Sequence, residues 1–348
     1  MLDCSEDLLA FHRSEVNLPI AERDAMRGRR DANRARLKKG LVESNKPAPI
    51  EFVSQGSYAL RLMVWDPDFD YDIDDGVYFR KEDLVGDRGA EMTSLQARQM
   101  VRDCIDDGSF AKAPEVRSNC VRIFYKAGYH VDVPVYRRVN VAAGAGDDWQ
   151  YELAASSGWK RSDARDVTAW YEKERADSAD GTQMLRANRV LKKFARSRAS
   201  WRGAILSGFG ITVLVAERLR ADSREDVAIH DAMVAIRDRL TWNLEVRHPV
   251  TPGDMITSGR DDAKARLFRD KLTEAIETLA PLHEADCTRE RALARWDRVF
   301  STNFFSKRLE DERRAALHAP AIVSAATLLG ATAAAAASVS SAGGGRHA

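Results

Sequence analysis

Apolar residues change their spacing part-way along the chain. Up to about residue 140 they include short β-branched runs with period two, whereas beyond Ser162 they recur at helical spacing. In the first part, Leu18 to Glu43 opens with Pro19 and continues as a charged run. Its few apolar or small positions (Ile20, Ala25, Met26, Ala32, Ala35, Leu37, Leu41) predict a long helix packed along one narrow stripe. The NKPAP linker leads to the extended segment IEFVSQGS, after which a helix is expected to begin. The stretch from Asp87 to Asp107 carries Leu95, Met100, Val101 and Ile105 at helical spacing, which predicts a core-facing helix. Two strand-like runs, CVRIFYKAG and YHVDVPVYR, then read as a hairpin turning at residues 126–128.

Val141 begins a Gly/Ala loop. After it, SDARDVTAWYEKE starts a helix with a Ser-Asp cap and carries Val167, Trp170 and Tyr171 on one side. Leu185 to Trp201 is a basic amphipathic helix, with Leu185, Val190, Leu191 and Phe194 inward and Lys192, Lys193, Arg196, Arg198 and Arg202 outward. Ile205 to Leu219 is the most apolar helix, opened by a Ser-Gly-Phe-Gly turn. HPVTPG is a loop leading to Asp254, and two or three amphipathic helices follow, to about Leu317.

Composition narrows the function classes. The 348 residues, with a net charge of +1, suit a soluble globular protein of one or two domains. They argue against a surface that binds polyanions throughout, so contacts to nucleotides must be local. The four cysteines (Cys4, Cys104, Cys120, Cys287) are scattered and lack metal-ligand spacing, which favours free thiols in a reducing compartment. The N-terminus lacks the order of a signal peptide, and a cytoplasmic location is expected. Residues 320–339 carry no charge but are rich in Ala, Ser and Thr. They are expected to form a packed helix that frays into a tail, without membrane insertion.

The candidate chemistry lies between Gln55 and Phe79. Asp72 and Asp74 are two residues apart on an expected strand, so they share a face and repel each other unless a cation sits between them. A divalent metal answers that need, and an acidic turn is the alternative, since Asp66, Asp68, Asp70 and Asp75 lie nearby. Asp132, amid β-branched residues, is either a third carboxylate of the site or an edge-strand charge facing water. Three carboxylates around a pair of metal ions would suit phosphoryl or nucleotidyl transfer. Gly56-Ser57 is a short Gly-Ser turn of the kind that lets backbone N–H groups approach a phosphate.

The ordered set QGSY, DIDDGVY and HVDVPVY resembles the bacterial cGAS/DncV-like (CD-NTase) family, within the polymerase-beta-like nucleotidyltransferases. SDARDVTAWY, the lysine followed by SGFG, and HPVTPGDM extend the resemblance over roughly residues 20 to 320. It implies an α+β fold: a nucleotidyltransferase core with a mixed twisted sheet and flanking helices (1–160), a helical lobe (161–320) across a cleft, and an Ala/Gly-rich tail (321–348). It implies that Gly56 and Ser57, within Gln55 to Leu60 and including Tyr58, cradle a donor triphosphate. Asp72 and Asp74 would hold a pair of Mg²⁺ ions, with Mn²⁺ as the substitute, and Asp132 would complete the site. Lys193 (or its neighbour Lys192) and Ser207 would contact phosphates, and Asp254, Ser162 and Asp163 would face acceptor or base.

For such an enzyme the expected substrates are NTPs, ATP or GTP among them, joined into a cyclic di- or trinucleotide. The product would activate a downstream effector in anti-phage (CBASS) defence. The absence of a cysteine-rich insertion argues against activation by long DNA. The flexible end at Ala348 suits conjugation by a ubiquitin-transfer-like partner, or is an ordinary frayed terminus.

Overall fold

β2 (Asp72–Arg80) is the strand on which the sheet is assembled. The computed structural model describes residues 1–66, 72–86, 89–125, 128–142, 146, 148–251 and 253–318. β1 (Glu51–Gln55) pairs antiparallel with β2, while β5 (His130–Val133) and β6 (Val135–Asn140) run parallel to it in one continuous register. Asp72 lies opposite His130, Asp74 opposite Asp132, Val77 opposite Val135 and Arg80 opposite Arg138. Pro134 separates β5 from β6, and its carbonyl accepts the Val77 N–H at 2.9 Å, which keeps the register. β3 (Glu115–Val116), β4 (Val121–Phe124), β7 (Trp149–Ala155) and β8 (Gly158–Arg161) extend the sheet in the order β3-β4-β5-β2-β6-β7-β8. The fold is therefore a mixed sheet with flanking helices and a C-terminal helical region, as expected.

The β4–β5 pair is the hairpin expected from the period-two runs, although its turn at 126–127 lies outside the described residues. β7 and β8, within and beyond the segment read as a loop, are strands that the sequence pattern did not single out. Val77, Phe79, Val121, Ile123, Val131, Val133 and Val135 turn one sheet face towards two helices. These are α2 (Ile20–Glu43), which offers Leu37 and Leu41, and α4 (Ser94–Ile105), which offers Met100, Val101 and Ile105. α2 buries only Met26, Asn33, Leu37 and Leu41, the narrow stripe expected of it. Leu95 departs from expectation: it follows Thr93, whose side chain closes a capping box with Gln96, and it stays 48% exposed in the first turn.

The remaining helices form a second core. α5 (Ala164–Asp177), α6 (Gly181–Arg196), α7 (Gly208–Arg218), α8 (Glu225–Trp242), α9 (Ala263–Leu279), α10 (Arg289–Phe300) and α11 (Phe304–His318) enclose Phe194, Phe268, Trp296 and Phe305. A short N-terminal α1 (Ser5–Phe11), extended by a π-helical turn over His12–Val16, inserts Leu8, Phe11 and Val16 into this same core. Buried Asp7 fixes it by pairing with Arg289 and Arg308, and buried Asp226 accepts the Cys4 N–H at 2.9 Å. Residues 5–16 thus pack with the helical lobe although they precede the sheet in the chain, a tertiary choice invisible to a division at residue 160. All four cysteines are buried free thiols. Among the described residues no helix is long and apolar enough to cross a membrane; the Ala-rich stretch at 320–339 lies outside them.

Candidate active site

The strand pairing brings the expected carboxylates together. Asp72 and Asp74 open β2 on the same face, and parallel register sets Asp132 beside Asp74. On the other side of β2, antiparallel β1 places Gln55 opposite Asp74. The chain turns immediately after Gln55 at Gly56, which has φ +61 and runs against Asp74, so that a Cβ there would overlap Asp74 Oδ2. Gly56–Ala59 form a single helical turn, α3, which carries Ser57.

A cavity of about 290 Å³ lies above these groups, lined by Gln55, Gly56, Ser57, Leu60, Leu62, Asp72 and Asp74. Ala164 and Val167 of α5, Lys192 of α6, and Gly208, Phe209 and Thr212 of α7 close it from the helical lobe. Gln55 is buried: its Oε1 accepts the Tyr136 hydroxyl at 3.1 Å, and its Nε2 has no partner among the described residues.

Burial pushes the Asp74 carboxyl up to about 7, with repulsion from Asp72 and Asp132 adding and Arg122 opposing. Asp132 is relieved of that repulsion by a forked pair. Arg122 Nε and Nη2 donate to its two oxygens at 2.8 and 2.7 Å across the β4–β5 pairing. With Asp132 so engaged, no group of three His, Cys, Asp or Glu converges on one point among the described residues. The donor set nevertheless fits a hard divalent ion. It consists of carboxylate oxygens on adjacent strands, with one carboxyl raised to about 7 by burial and by the like charges of Asp72 and Asp132. Sequence reasoning missed Arg122; its alternation opposite Asp132 on a hairpin was the available signal.

The lysine of the site is Lys192. It is buried, and its Nζ donates to Ser57 Oγ at 3.0 Å and to the Leu62 carbonyl at 2.8 Å. Burial pushes it down to about 7, Arg196 and Arg189 adding and Asp72 opposing. Lys193, the first choice from sequence, instead donates to the Trp65 carbonyl at 3.0 Å and does not line the cavity. Successive helical residues diverge by about 100°, and Lys192 falls between Asn188, Leu191 and Ala195 on the inward face. The expectation that both lysines face out is corrected for Lys192. The excluded signal was its charge: a lysine at a core-facing position was read as surface.

Other expected residues lie apart from this cavity. Tyr58 turns to the reverse side of α3, with the Arg30 guanidinium 5.6 Å from its ring centre. Ser207 caps α7 by accepting the Gly210 N–H at 3.1 Å and lines a neighbouring cavity with Arg196, Arg202 and Lys264. Gly208 lines both cavities, and a Cβ on it would sit 2.9 Å from Lys192 Cε. Asp163 caps α5, pairs with Arg165 and accepts the Tyr78 hydroxyl at 3.1 Å, while Ser162 donates its backbone N–H to the Tyr151 carbonyl. Asp254 is paired with Lys160 at 2.8 Å and does not line the cavity.

Two of the aspartates near the pair, which the sequence offers as part of an acidic turn, are buried. Asp75, on the face of β2 opposite Asp74, is held by two guanidinium nitrogens of Arg34, Nε and Nη2, and by the Ser54 hydroxyl. Asp66 is paired with Arg202 at 3.2 Å. Asp68 and Asp70 lie outside the described residues.

Residues 50–136, which hold β1, α3, β2 and all three carboxylates, match the family model of the Cyclic GMP-AMP synthase DncV-like nucleotidyltransferase domain. This stretch is similar to a DncV-like nucleotidyltransferase domain. Over 222 residues it is 26% identical to a Cyclic GMP-AMP synthase of Escherichia albertii. That match spans 61% of this chain and 47%, about half, of the relative. The sheet and the helical lobe share their fold with solved structures. Vibrio cholerae DncV in its GTP-bound form superposes with a TM-score of 0.65 at 15% identity, covering 83% of this chain and 91% of that one. Bradyrhizobium diazoefficiens CdnG in complex with GTP gives 0.64 at 14% identity, over 89% and 98%. Escherichia coli CdnC with ATP gives 0.62 at 17% identity, over 86% and 98%.

Proposed function

We propose that this protein is a metal-dependent nucleotidyltransferase that joins NTPs into a cyclic di- or trinucleotide. The observation that carries this reading is the register of Asp74 with Asp132, with Gly56 folded against Asp74, at the mouth of a cavity closed by Lys192. Asp72, Asp74 and Asp132 would hold a pair of Mg²⁺ ions. When bound, such ions lower the pKa of an attacking hydroxyl and neutralise triphosphate charge.

The chain's own residues supply the rest. Gly56 opens backbone N–H groups to the donor phosphates, Ser57 adds a hydroxyl donor, and Lys192, already aimed at Ser57, supplies the positive charge. Asp132, once released from Arg122, accepts the proton of the acceptor hydroxyl. Relatives whose names state cyclic GMP-AMP synthesis, and structures solved with ATP or GTP, support a purine nucleotide as substrate. The cyclic product would serve a downstream effector in anti-phage signalling, with no requirement for long DNA. Conjugation through Ala348 belongs to the same proposal and concerns residues outside those described.

Incubation with all four NTPs and Mg²⁺, followed by phosphatase and nuclease digestion and mass spectrometry, tests this. A phosphatase-resistant cyclic product is expected. Linear oligonucleotides, or label transferred to RNA or protein, would leave the site standing and reject cyclisation. No pyrophosphate release under any condition would make the protein a silent nucleotide-binding scaffold.

A further inference from the structure

The segment that follows β1 has two faces. Gln55, Gly56, Ser57, Leu60 and Leu62 line the cavity with the carboxylates, whereas Tyr58, Ala59, Arg61 and Met63 line a larger one of about 900 Å³ behind it. The turn preceding α2, the first turns of α2, and Arg189 of α6 complete this rear cavity.

Its charge has one sign. Arg13, Arg23, Arg27, Arg61 and Arg189 reach its wall, and no Asp or Glu among the described residues does. Arg27 has a loose pair with Asp24 at 3.5 Å, both exposed. Among the described residues Arg189 donates only to neutral oxygens, the Arg61 carbonyl at 2.8 Å and Asn17 Oδ1 at 2.9 Å, and burial together with Arg175, Arg23 and Arg61 pushes its pKa down. Of the partly buried arginines elsewhere in this nearly neutral chain, Arg34 meets Asp75 and Arg186 meets Glu225, whereas Arg198 donates to the Val299 and Arg298 carbonyls. Gathering five guanidinium groups against the one loose pair with Asp24 leaves them repelling one another, and an anion carrying several charges removes that cost. Guanidinium forks match phosphate oxygens in pairs, and such charge-assisted bonds are the strong ones.

The rear cavity is also tied to the front one through a single helix. Arg189 holds the carbonyl of Arg61, and Lys192, one turn further along α6, holds the carbonyl of Leu62 while reaching Ser57. Arg61 itself sits at φ +58, an unfavourable conformation for a residue with a Cβ, so this turn is held in place by its two clamps. A ligand that engages Arg61 and Arg189 acts on the backbone that carries the donor cradle.

We propose that the rear cavity is a second binding site, separate from the donor cavity, for a small polyanion bearing several phosphate groups. The proposal rests on the arginine cluster and stands whether or not the front site makes a cyclic product.

Isothermal titration with inorganic tripolyphosphate in EDTA tests it, since without metal the front carboxylates repel the probe. Wild-type protein is expected to bind. Arg13→Ala with Arg23→Ala, both exposed positions, is expected to weaken binding by about tenfold or more with an unchanged melting curve. Lys192→Met, which removes the front-cavity cation, is expected to keep the binding event. The proposal is overturned if wild-type protein does not bind, or if the arginine double variant binds as tightly as wild type. It is also overturned if a Lys192→Met protein with a wild-type melting curve has lost all binding.

Discussion

Arg122 and Asp132 face each other across the β4–β5 pairing and share two hydrogen bonds, at 2.8 and 2.7 Å. The pair shows how a buried carboxylate beside Asp74 is tolerated: a side-chain cation neutralises it. Truncating Arg122 leaves Asp132 buried without a partner, which costs roughly 1–3 kcal/mol. Urea unfolding of Arg122→Ala is expected to show that loss, with Mg²⁺ restoring more stability to the variant than it adds to wild type. An unfolding midpoint insensitive to the substitution would remove Arg122 from this role.

Asp72→Ala with Asp74→Ala removes two charges that repel each other. Pyrophosphate release is expected to be abolished, while the melting temperature without metal stays equal to wild type or rises. Undiminished release from the double variant would refute the site.

Gly56→Ala tests the close approach of the cradle to Asp74. The new methyl group meets Asp74 Oδ2 at a positive φ, which costs about 1–2 kcal/mol in backbone strain and pushes the carboxylate aside. Activity is expected to fall at least about a hundredfold, the effect of a misplaced reacting group, with a modest drop in thermal stability. Parallel melting and rate measurements separate the two effects.

Lys192 and Lys193 are adjacent in sequence and differ in role. Lys192→Met removes the cation at Ser57 and is expected to lower kcat/KM for the donor NTP by about a hundredfold, the scale of one lost strong charge-assisted contact. Lys193→Met loses a bond to the Trp65 carbonyl and a cation–π contact with the Trp65 ring, both outside the cavity, and is expected to change kcat/KM by less than about threefold. Steady-state kinetics of the two variants decides the assignment. Equal losses would return both lysines to the site.

His12 gives a pH signature in stability. It is buried in the π-helical turn, its Nε2 lacks a partner among the described residues, and burial with Arg189, Arg186 and Arg13 nearby pushes it down to about 4. The unfolded chain therefore takes up a proton near pH 6.5 that the folded chain refuses until about 4. Stability from this group is complete above pH 6.5 and declines as the pH falls between those values. The loss reaches roughly 3 kcal/mol below pH 4. Urea midpoints measured from pH 8 to 4 should show this decline in wild type and a shallower one in His12→Phe.

The sequence by itself determined the local elements and the chemistry that can be read at fixed spacing. Alternation put Asp72 and Asp74 on one strand face, the β-branched run around Asp132 marked a strand, and the Gly-Ser turn was legible as a close approach. The sparse stripe of α2 and the caps of α5 and α7 were equally local. Tertiary structure decided what depends on residues distant in the chain. Parallel register placed Asp132 beside Asp74 and Arg122 onto Asp132. Packing of α6 buried Lys192 and left Lys193 outside the cavity. Arg34 and Arg202 turned Asp75 and Asp66 from apparent surface charges into buried partners. Charge alone misled at each of these positions, because a charged side chain is excluded from the interior only until a partner far away in sequence meets it there.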